Sequence, residues 1–326
     1  MTRPGNRVGR PCALLAASLL AATAAGAEAA DLPLRVVTSI PPLAMLVAEL
    51  GGDRVTAHSL LPPGADPHTF EPRPSDAKAV VNARIVVVLG SSIDDWLGGA
   101  LAAPADAVMV RLDEEHAGDD HHDHAGHSHD GGGDDPHVWL DPLWVRDRVV
   151  PALQRALMEA DPKGGARYGA SARAMSERLT DLDEDIREAF LRASTRSFLS
   201  WHPAWERFAR RYDLHSASSV GESGGREPSL KAMIGAVRAG RAAGVRAVLV
   251  EPQTDGRQAS VLADELGVAL ITVDPLGDPW SLERATYGNL IRFNAAAFAR
   301  ALGVVKDEDE EEAAPISALP ASPVSP

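Results

Sequence analysis

Arg84-Ile85-Val86-Val87-Val88-Leu89 is the stretch that decides the fold of this 326-residue chain. Such an unbroken apolar run favours a strand buried on both faces, as in a parallel sheet covered by helices. The flanking segments alternate in the same way, with strands predicted over 34–39, 54–60 and 107–112 and helices over 41–50, 75–82 and 94–102. The first half is therefore predicted to be a largely parallel sheet wrapped by helices.

The longest helical pattern runs from Ala166 to Leu191 and follows a shorter predicted helix over 142–159. Its apolar residues recur every three or four positions and form one stripe: Met175, Leu179, Leu182, Ile186 and Phe190. A helix of about 26 residues is about 39 Å long, enough to run the height of two domains. We interpret it as a rigid connector between two halves.

The second half repeats the alternation of strands and helices. Strands are predicted over 197–200, 246–250 and 268–273, and helices over 203–212, 227–243, 257–266 and 281–302. The chain is thus predicted to be an α/β protein of two lobes, over residues 31–160 and 193–305, joined by a connecting helix over 161–192.

The first thirty residues have the pattern of a secretory signal peptide. Three arginines precede an apolar run from Ala13 to Ala25, and Ala27-Glu28-Ala29 offers a cleavage site. Cys12, the only cysteine, precedes the apolar run, so neither a lipid anchor nor a disulfide is expected. A protein without disulfides depends on its hydrophobic core for stability.

Charge and hydropathy exclude several classes of partner. The formal net charge is −14, which argues against nucleic acid and anionic membrane surfaces and suits the attraction of cations. After the signal peptide no apolar run approaches the ~20 residues needed to span a bilayer. We therefore expect a soluble protein that lies outside the cytoplasm and is not inserted in a membrane. Residues 306–326, acidic and then Pro-rich, are predicted to be a disordered tail.

A histidine-rich stretch interrupts the first lobe over residues 114–134. Its glycine and acidic residues predict a flexible loop, and short His-rich tracts are typical of metal binding. Six of the eleven histidines lie in it: His116, His121, His122, His124, His127 and His129. We interpret them as an auxiliary metal site of low affinity, while an inert surface loop remains the alternative.

Three other histidines lie where a predicted strand gives way to a helix. His68, His137 and His202 each have a proline beside them, which stiffens the loop that carries the imidazole. Such junctions gather at the carboxyl edge of a parallel sheet, where ligands bind. His58 and His215 lack this context and are interpreted as ordinary polar residues.

Asp274, at the end of the last predicted strand, could add a carboxylate to these imidazoles, with Glu251 as its rival. Three nitrogens and one oxygen suit tetrahedral Zn²⁺, whereas Mn²⁺ favours more oxygen ligands. Four tryptophans near these loops are interpreted as packing around the site: Trp139, Trp144, Trp201 and Trp205.

Four motifs resemble the cluster A-I solute-binding proteins of ABC transporters, in particular the zinc-specific branch. They are Leu-Pro-Pro-Gly-Ala-Asp-Pro-His-Thr-Phe-Glu-Pro-Arg-Pro-Ser-Asp at 61–76, Asp-Pro-His-Val-Trp-Leu at 135–140, Val-Glu-Pro-Gln at 250–253 and Val-Asp-Pro-Leu-Gly at 273–277. The resemblance implies two four-stranded lobes joined by one long helix, and zinc ligands at His68, His137, His202 and Asp274. A histidine at 202, where manganese-type members have glutamate, implies zinc.

From these features we predict a periplasmic protein, without enzymatic activity, that captures Zn²⁺ and delivers it to the permease of an ABC importer. A monomer is expected, and a periplasmic metallochaperone is a further candidate partner. Because metal binding needs neutral imidazoles, affinity should fall as pH drops through about 6.5. The alternatives are a manganese-binding or other divalent-metal protein of the same family, an exported zinc hydrolase with Glu71 or Glu251 as base, and a storage or adhesion protein.

Overall fold

A computed structural model describes residue 1 and residues 32–97, 103–112, 135–221 and 228–304. The predicted signal peptide after its first residue, the histidine-rich loop and the acidic tail lie outside the described residues. The description below concerns the described residues from Leu34 to Val304, which belong to one compact unit.

The first sheet is parallel throughout. It consists of β1 (Leu34–Thr38), β2 (Val55–Ser59), β3 (Ile85–Val88) and β4 (Val108–Arg111), in the order β2-β1-β3-β4. All four residues of β3 are buried, as its unbroken apolar run predicts. Because β1 and β3 are the two central strands and run parallel, their carboxyl ends lie side by side at the middle of the sheet.

The second sheet has the same order, β6-β5-β7-β8, and is also parallel. Its strands are β5 (Ser197–Ser200), β6 (His215–Ser219), β7 (Ala247–Val250) and β8 (Ala269–Thr272). Strand β6 is absent from the predicted strands, because its sequence His-Ser-Ala-Ser-Ser is polar and it lies exposed at the sheet edge. The four-stranded, two-lobe α/β fold is confirmed.

Nine α-helices flank the sheets within the described residues. They are α1 (Pro41–Gly51), α2 (Pro74–Val81), α3 (Pro142–Trp144), α4 (Val150–Ala160), α5 (Gly165–Leu191), α6 (Glu206–Arg211), α7 (Leu230–Ala243), α8 (Arg257–Leu266) and α9 (Tyr287–Ala301). A π-helical turn, Val145–Val149, joins α3 to α4. It lies just before Pro151, which has no N–H to continue the regular α-helical ladder.

Several predicted helices differ from the structure. Residues 92–97 form a 3₁₀ helix where a helix over 94–102 is predicted, and residues 98–102 are not described. Helices α6 and α7 begin at Glu206 and Leu230, each three residues later than predicted. Helix α9 begins at Tyr287, six residues later than predicted, after a loop in which the Asp278 N–H donates to the Arg284 carbonyl at 3.3 Å.

The long helix α5 and the main core tie the two halves together. Helix α5 has 27 residues and packs against α1 and α4 of the first half and α9 of the second half. One continuous core includes Leu46 and Ile85 of the first half, Met175 of α5 and Phe298 of the second half. The predicted connecting helix is therefore part of the hydrophobic core and not a free linker.

Among the described residues, no helix is both long enough and apolar enough to cross a bilayer.

Candidate metal site

Three loops bring the predicted histidines together at the carboxyl edges of the two sheets. His68 follows β2, His137 precedes the 3₁₀ turn Val138–Leu140, and His202 follows β5. The His68 N–H donates to Asp66 Oδ1 at 2.9 Å, a local turn that fixes this loop. The strand-to-helix placement of His68 and His202 that the sequence predicts is confirmed.

The three imidazoles form one cluster. One ligand atom of each imidazole lies within 4.8 Å of a ligand atom of the other two. Among the described residues, this is the only group of three or more possible metal ligands that lie so close together. The Nε2 atoms of His137 and His202 are 3.4 Å apart. Two nitrogens bound to one tetrahedral Zn²⁺ at about 2.0–2.1 Å would lie about 3.3 Å apart. The spacing of this pair therefore fits one shared ion, with His68 close by as a third ligand.

Asp135 orients the most buried imidazole. Its Oδ1 lies 2.9 Å from His137 Nδ1 and also accepts the His137 N–H at 3.0 Å, while Oδ2 accepts the Arg207 N–H at 3.0 Å. Burial disfavours the carboxylate, but the hydrogen bonds from His137 and Arg207 outweigh it and hold the pKa of Asp135 below its usual value. A carboxylate on one ring nitrogen leaves Nε2 free to bind a metal.

Burial keeps two of the imidazoles neutral. It lowers the pKa of His68, and it lowers the pKa of His202 to about 3, with the His137 and His68 rings acting in the same direction. His68 Nε2 is buried without a hydrogen-bond partner. Neutral nitrogens that lack a partner are what a metal ion requires.

A cavity of 530 Å³ adjoins the cluster and is lined by His68, His137, His202, Trp201 and Glu251, among others. Glu251 is 3% exposed, and its Oε1 accepts the Trp205 Nε1–H at 2.8 Å. Its Oε2 is buried without a partner. Burial raises the pKa of Glu251 to about 8, so the folded metal-free protein holds this carboxyl protonated at neutral pH.

Replacing Glu251 with glutamine should stabilise the metal-free protein at pH 8 relative to wild type by about 2–4 kcal/mol. Between its ordinary value of 4.5 and its folded value of about 8, the folded state keeps a proton that the unfolded chain releases. The free energy of unfolding of wild type should therefore fall as pH rises through this window. Denaturant unfolding at pH 5 and pH 8 measures the difference.

The exposed Glu206 provides the matched control, because Glu206→Gln removes the same charge from solvent. Its unfolding free energy should follow that of wild type at both pH values. Parallel pH profiles for wild type and Glu251→Gln would mean that the buried carboxyl is ionised in the folded protein.

Asp274 is not placed among the three imidazoles. It is 1% exposed, and its Oδ1 accepts the Leu276 and Gly277 N–H groups at 3.0 Å and Gln253 Nε2–H at 3.2 Å. Its Oδ2 accepts Arg284 Nη1–H at 2.7 Å. Four hydrogen bonds use about as many lone-pair sites as a carboxylate has. Asp274 as fourth ligand stays a prediction, and so does its rival Glu251.

The remaining predicted site residues have different outcomes. The six histidines of the loop lie outside the described residues. His58 lies on β2 beside a separate groove, and His215 is exposed on β6. The tryptophans pack around the site as predicted: Trp139 and Trp201 line the cavity, Trp205 binds Glu251, and Trp144 lies under the Arg207 guanidinium at 5.7 Å.

Asp135, Gln253 and Arg284 are site residues that the sequence reasoning missed. Asp135 could have been recognised, because it stands two residues before His137 in an Asp-Pro-His turn. Gln253 follows Glu251 in the motif Val-Glu-Pro-Gln. Arg284 gives no local signal, since its contact with Asp274 depends on the loop before α9.

Comparison with known proteins places this geometry in a family. Residues 36–301 match the family model described as "ZnuA: Zinc-uptake complex component A periplasmic". The chain is 28% identical over 328 residues to the high-affinity zinc uptake system protein ZnuA of Paracoccus denitrificans, covering 90% of this chain and 99% of that protein. It is 29% identical over 250 residues to a putative metal-binding protein of Treponema pallidum, covering 74% and 78% of the two chains.

A solved structure shows the same similarity in three dimensions. A ZnuA deletion mutant with zinc bound superposes with a TM-score of 0.69 at 26% identity, covering 83% of this chain and 98% of that one.

Proposed function

The chain belongs to the ZnuA family of periplasmic zinc-uptake components, and from this membership we propose that the imidazoles of His68, His137 and His202 capture Zn²⁺ for delivery to the permease of an ABC importer. The family consists of binding proteins for transport, which sets aside the hydrolase alternative. Zinc is the cargo that the relatives support best, ahead of manganese.

The single observation that carries the proposal is the cluster of three nitrogen ligands from both halves of the chain, one on a buried and two on partly buried imidazoles. The 3.4 Å between Nε2 of His137 and Nε2 of His202 suits one tetrahedral ion, and His68 Nε2 has no other partner. Because burial lowers the pKa of His202 to about 3, protons should compete with zinc for this imidazole only at a pH well below 6.5.

We propose that the histidine-rich loop is an auxiliary site that collects zinc with lower affinity. Deleting residues 116–130 should lower the number of zinc ions bound per chain but leave the tight site unchanged. Calorimetric titration of zinc into full-length and loop-deleted protein measures both quantities.

A matched control keeps the loop length and replaces only its six histidines with serine. This variant and the deletion should give the same stoichiometry. Loss of the tight site on deletion of the loop would overturn the proposal, because the cluster in the described residues would then not be sufficient.

The organisation of the chain is proposed on the same basis. We propose a signal peptide over residues 1–30, lobes over 31–160 and 193–305, the connecting helix over 161–192 and an acidic tail over 306–326. We further propose that the protein acts as a monomer and can receive zinc from a periplasmic metallochaperone. The two separate four-stranded sheets support the division into lobes.

A further inference from the structure

We propose that Arg284 withholds the Asp274 carboxylate from the bound ion and thereby sets the zinc affinity of the site. This inference rests on the proposed function, since it concerns the fourth coordination position of the same zinc ion. Arg284 is a positioning residue in this role, because it acts on zinc through Asp274.

Asp274 is held in place from both its main chain and its side chain. Its N–H donates to Asn294 Oδ1 and its carbonyl accepts from Asn294 Nδ2, both at 2.7 Å. These contacts fix the backbone of Asp274 at the end of β8, next to Pro275 and Leu276, which line the cavity. The backbone of Asp274 is thus fixed beside the cavity, and what its carboxylate binds depends on the groups that surround the side chain.

Arg284 is the strongest of the partners that hold this side chain away. Its guanidinium donates to Asp274 Oδ2 at 2.7 Å, and both groups are largely buried, with side-chain exposures of 21% and 2%. A hydrogen bond between two charged groups is about twice as strong as one between neutral groups. The cation of Arg284 and a zinc ion thus compete for one carboxylate.

The Arg284 guanidinium also has a second carboxylate within reach, that of Asp278. Its Nη2 lies 3.6 Å from Asp278 Oδ2, and its guanidinium lies over the Phe293 ring at 5.3 Å. Arg284 can therefore give up Asp274 without becoming an unpaired buried charge. The Arg284 guanidinium can thus exchange the carboxylate of Asp274 for that of Asp278.

A double-mutant cycle on zinc affinity tests the inference. Arg284→Gln should lower the zinc Kd by about tenfold or more, the factor that corresponds to one charge-assisted hydrogen bond. In the Asp274→Asn background, Arg284→Gln should change the Kd by less than about threefold, because the contested carboxylate is gone. Competition with a chromophoric chelator measures all four values.

A spectroscopic readout separates ligation from general electrostatics. In cobalt-loaded Arg284→Gln, the Asp274 carboxylate should bind the cobalt ion. The absorption spectrum of this variant should therefore change when Asp274→Asn is introduced as a second substitution. Arg241→Gln, which removes an exposed cation that pairs with Glu265 and does not line the cavity, should leave both Kd and spectrum close to wild type. If Arg284→Gln fails to fold, Arg284→Lys should still bind zinc more tightly than wild type, because its shorter reach weakens the bond to Asp274.

These measurements separate a wrong role for Arg284 from the absence of a tight zinc site. A wild-type protein without a tight zinc site overturns both. If wild type binds tightly and Arg284→Gln binds equally or less tightly, the role of Arg284 is wrong and the three-histidine site stands. An equal gain in the Asp274→Asn background would also overturn it, because the effect would then be one of charge alone.

Discussion

Zinc affinity should fall by more than about a hundredfold when His137 is replaced with alanine. His137 is 4% exposed, its Nδ1 is held by Asp135, and its Nε2 lies 3.4 Å from that of His202. Loss of a group that only orients a metal ligand costs about 10–100-fold in affinity, so loss of the ligand itself should cost at least the upper value. Chelator competition at pH 7.5 measures the Kd.

The control is His58→Ala, which removes a histidine from β2 beside a different groove. Its zinc Kd should equal that of wild type. Zinc should also raise the thermal unfolding midpoint of wild type and His58→Ala but not of His137→Ala, because a ligand stabilises only the state that binds it. An unchanged Kd in His137→Ala would remove this imidazole from the site.

Replacing Trp139 with alanine should cost about 3–5 kcal/mol of folding free energy. Trp139 is fully buried, its Nε1–H donates to the Pro275 carbonyl at 2.7 Å, and its own carbonyl accepts the Tyr287 hydroxyl at 2.7 Å. The side chain thus connects the loop of His137 to the segment after Asp274. Guanidinium unfolding of the metal-free protein measures the loss.

Two further variants test the contribution of the hydrogen bond and provide an exposed tryptophan as a control. Trp139→Phe keeps an aromatic ring but leaves the Pro275 carbonyl without its donor, and should cost about 1–3 kcal/mol. Trp280→Ala removes a side chain that is 81% exposed and should stay within about 0.5 kcal/mol of wild type. If Trp139→Ala were as stable as Trp280→Ala, the tryptophan would not join the two halves.

The central strands and the three histidines were predictable because their signals are local. An apolar run such as β3 can only be buried on both faces, and a proline beside each histidine marks a stiff loop at a strand end. The edge strand β6 escaped prediction because its polar residues are exposed, so no burial pattern distinguishes it from a loop.

The state of Asp274 could not be predicted from the sequence. Its position at the end of β8 follows from the motif, but its hydrogen bonds come from Arg284, ten residues later, and from Gln253 at the end of another strand. These contacts exist only after the loop before α9 has folded against the second sheet. Local sequence patterns identify which groups can bind a metal, and tertiary contacts decide whether they are free to do so.

The long helix α5 limits how a transporter can recognise the loaded protein. Arg178 of α5 pairs with Glu49 of α1, while Asp183 pairs with Arg211 of α6, so one helix is bonded to both halves. Jaw-like closure would have to break these pairs and the shared core. We therefore expect the zinc-loaded and zinc-free proteins to give the same small-angle scattering profile. The permease would then have to distinguish the zinc-loaded from the zinc-free protein by the shape and mobility of a few surface loops, not by the outline of the molecule.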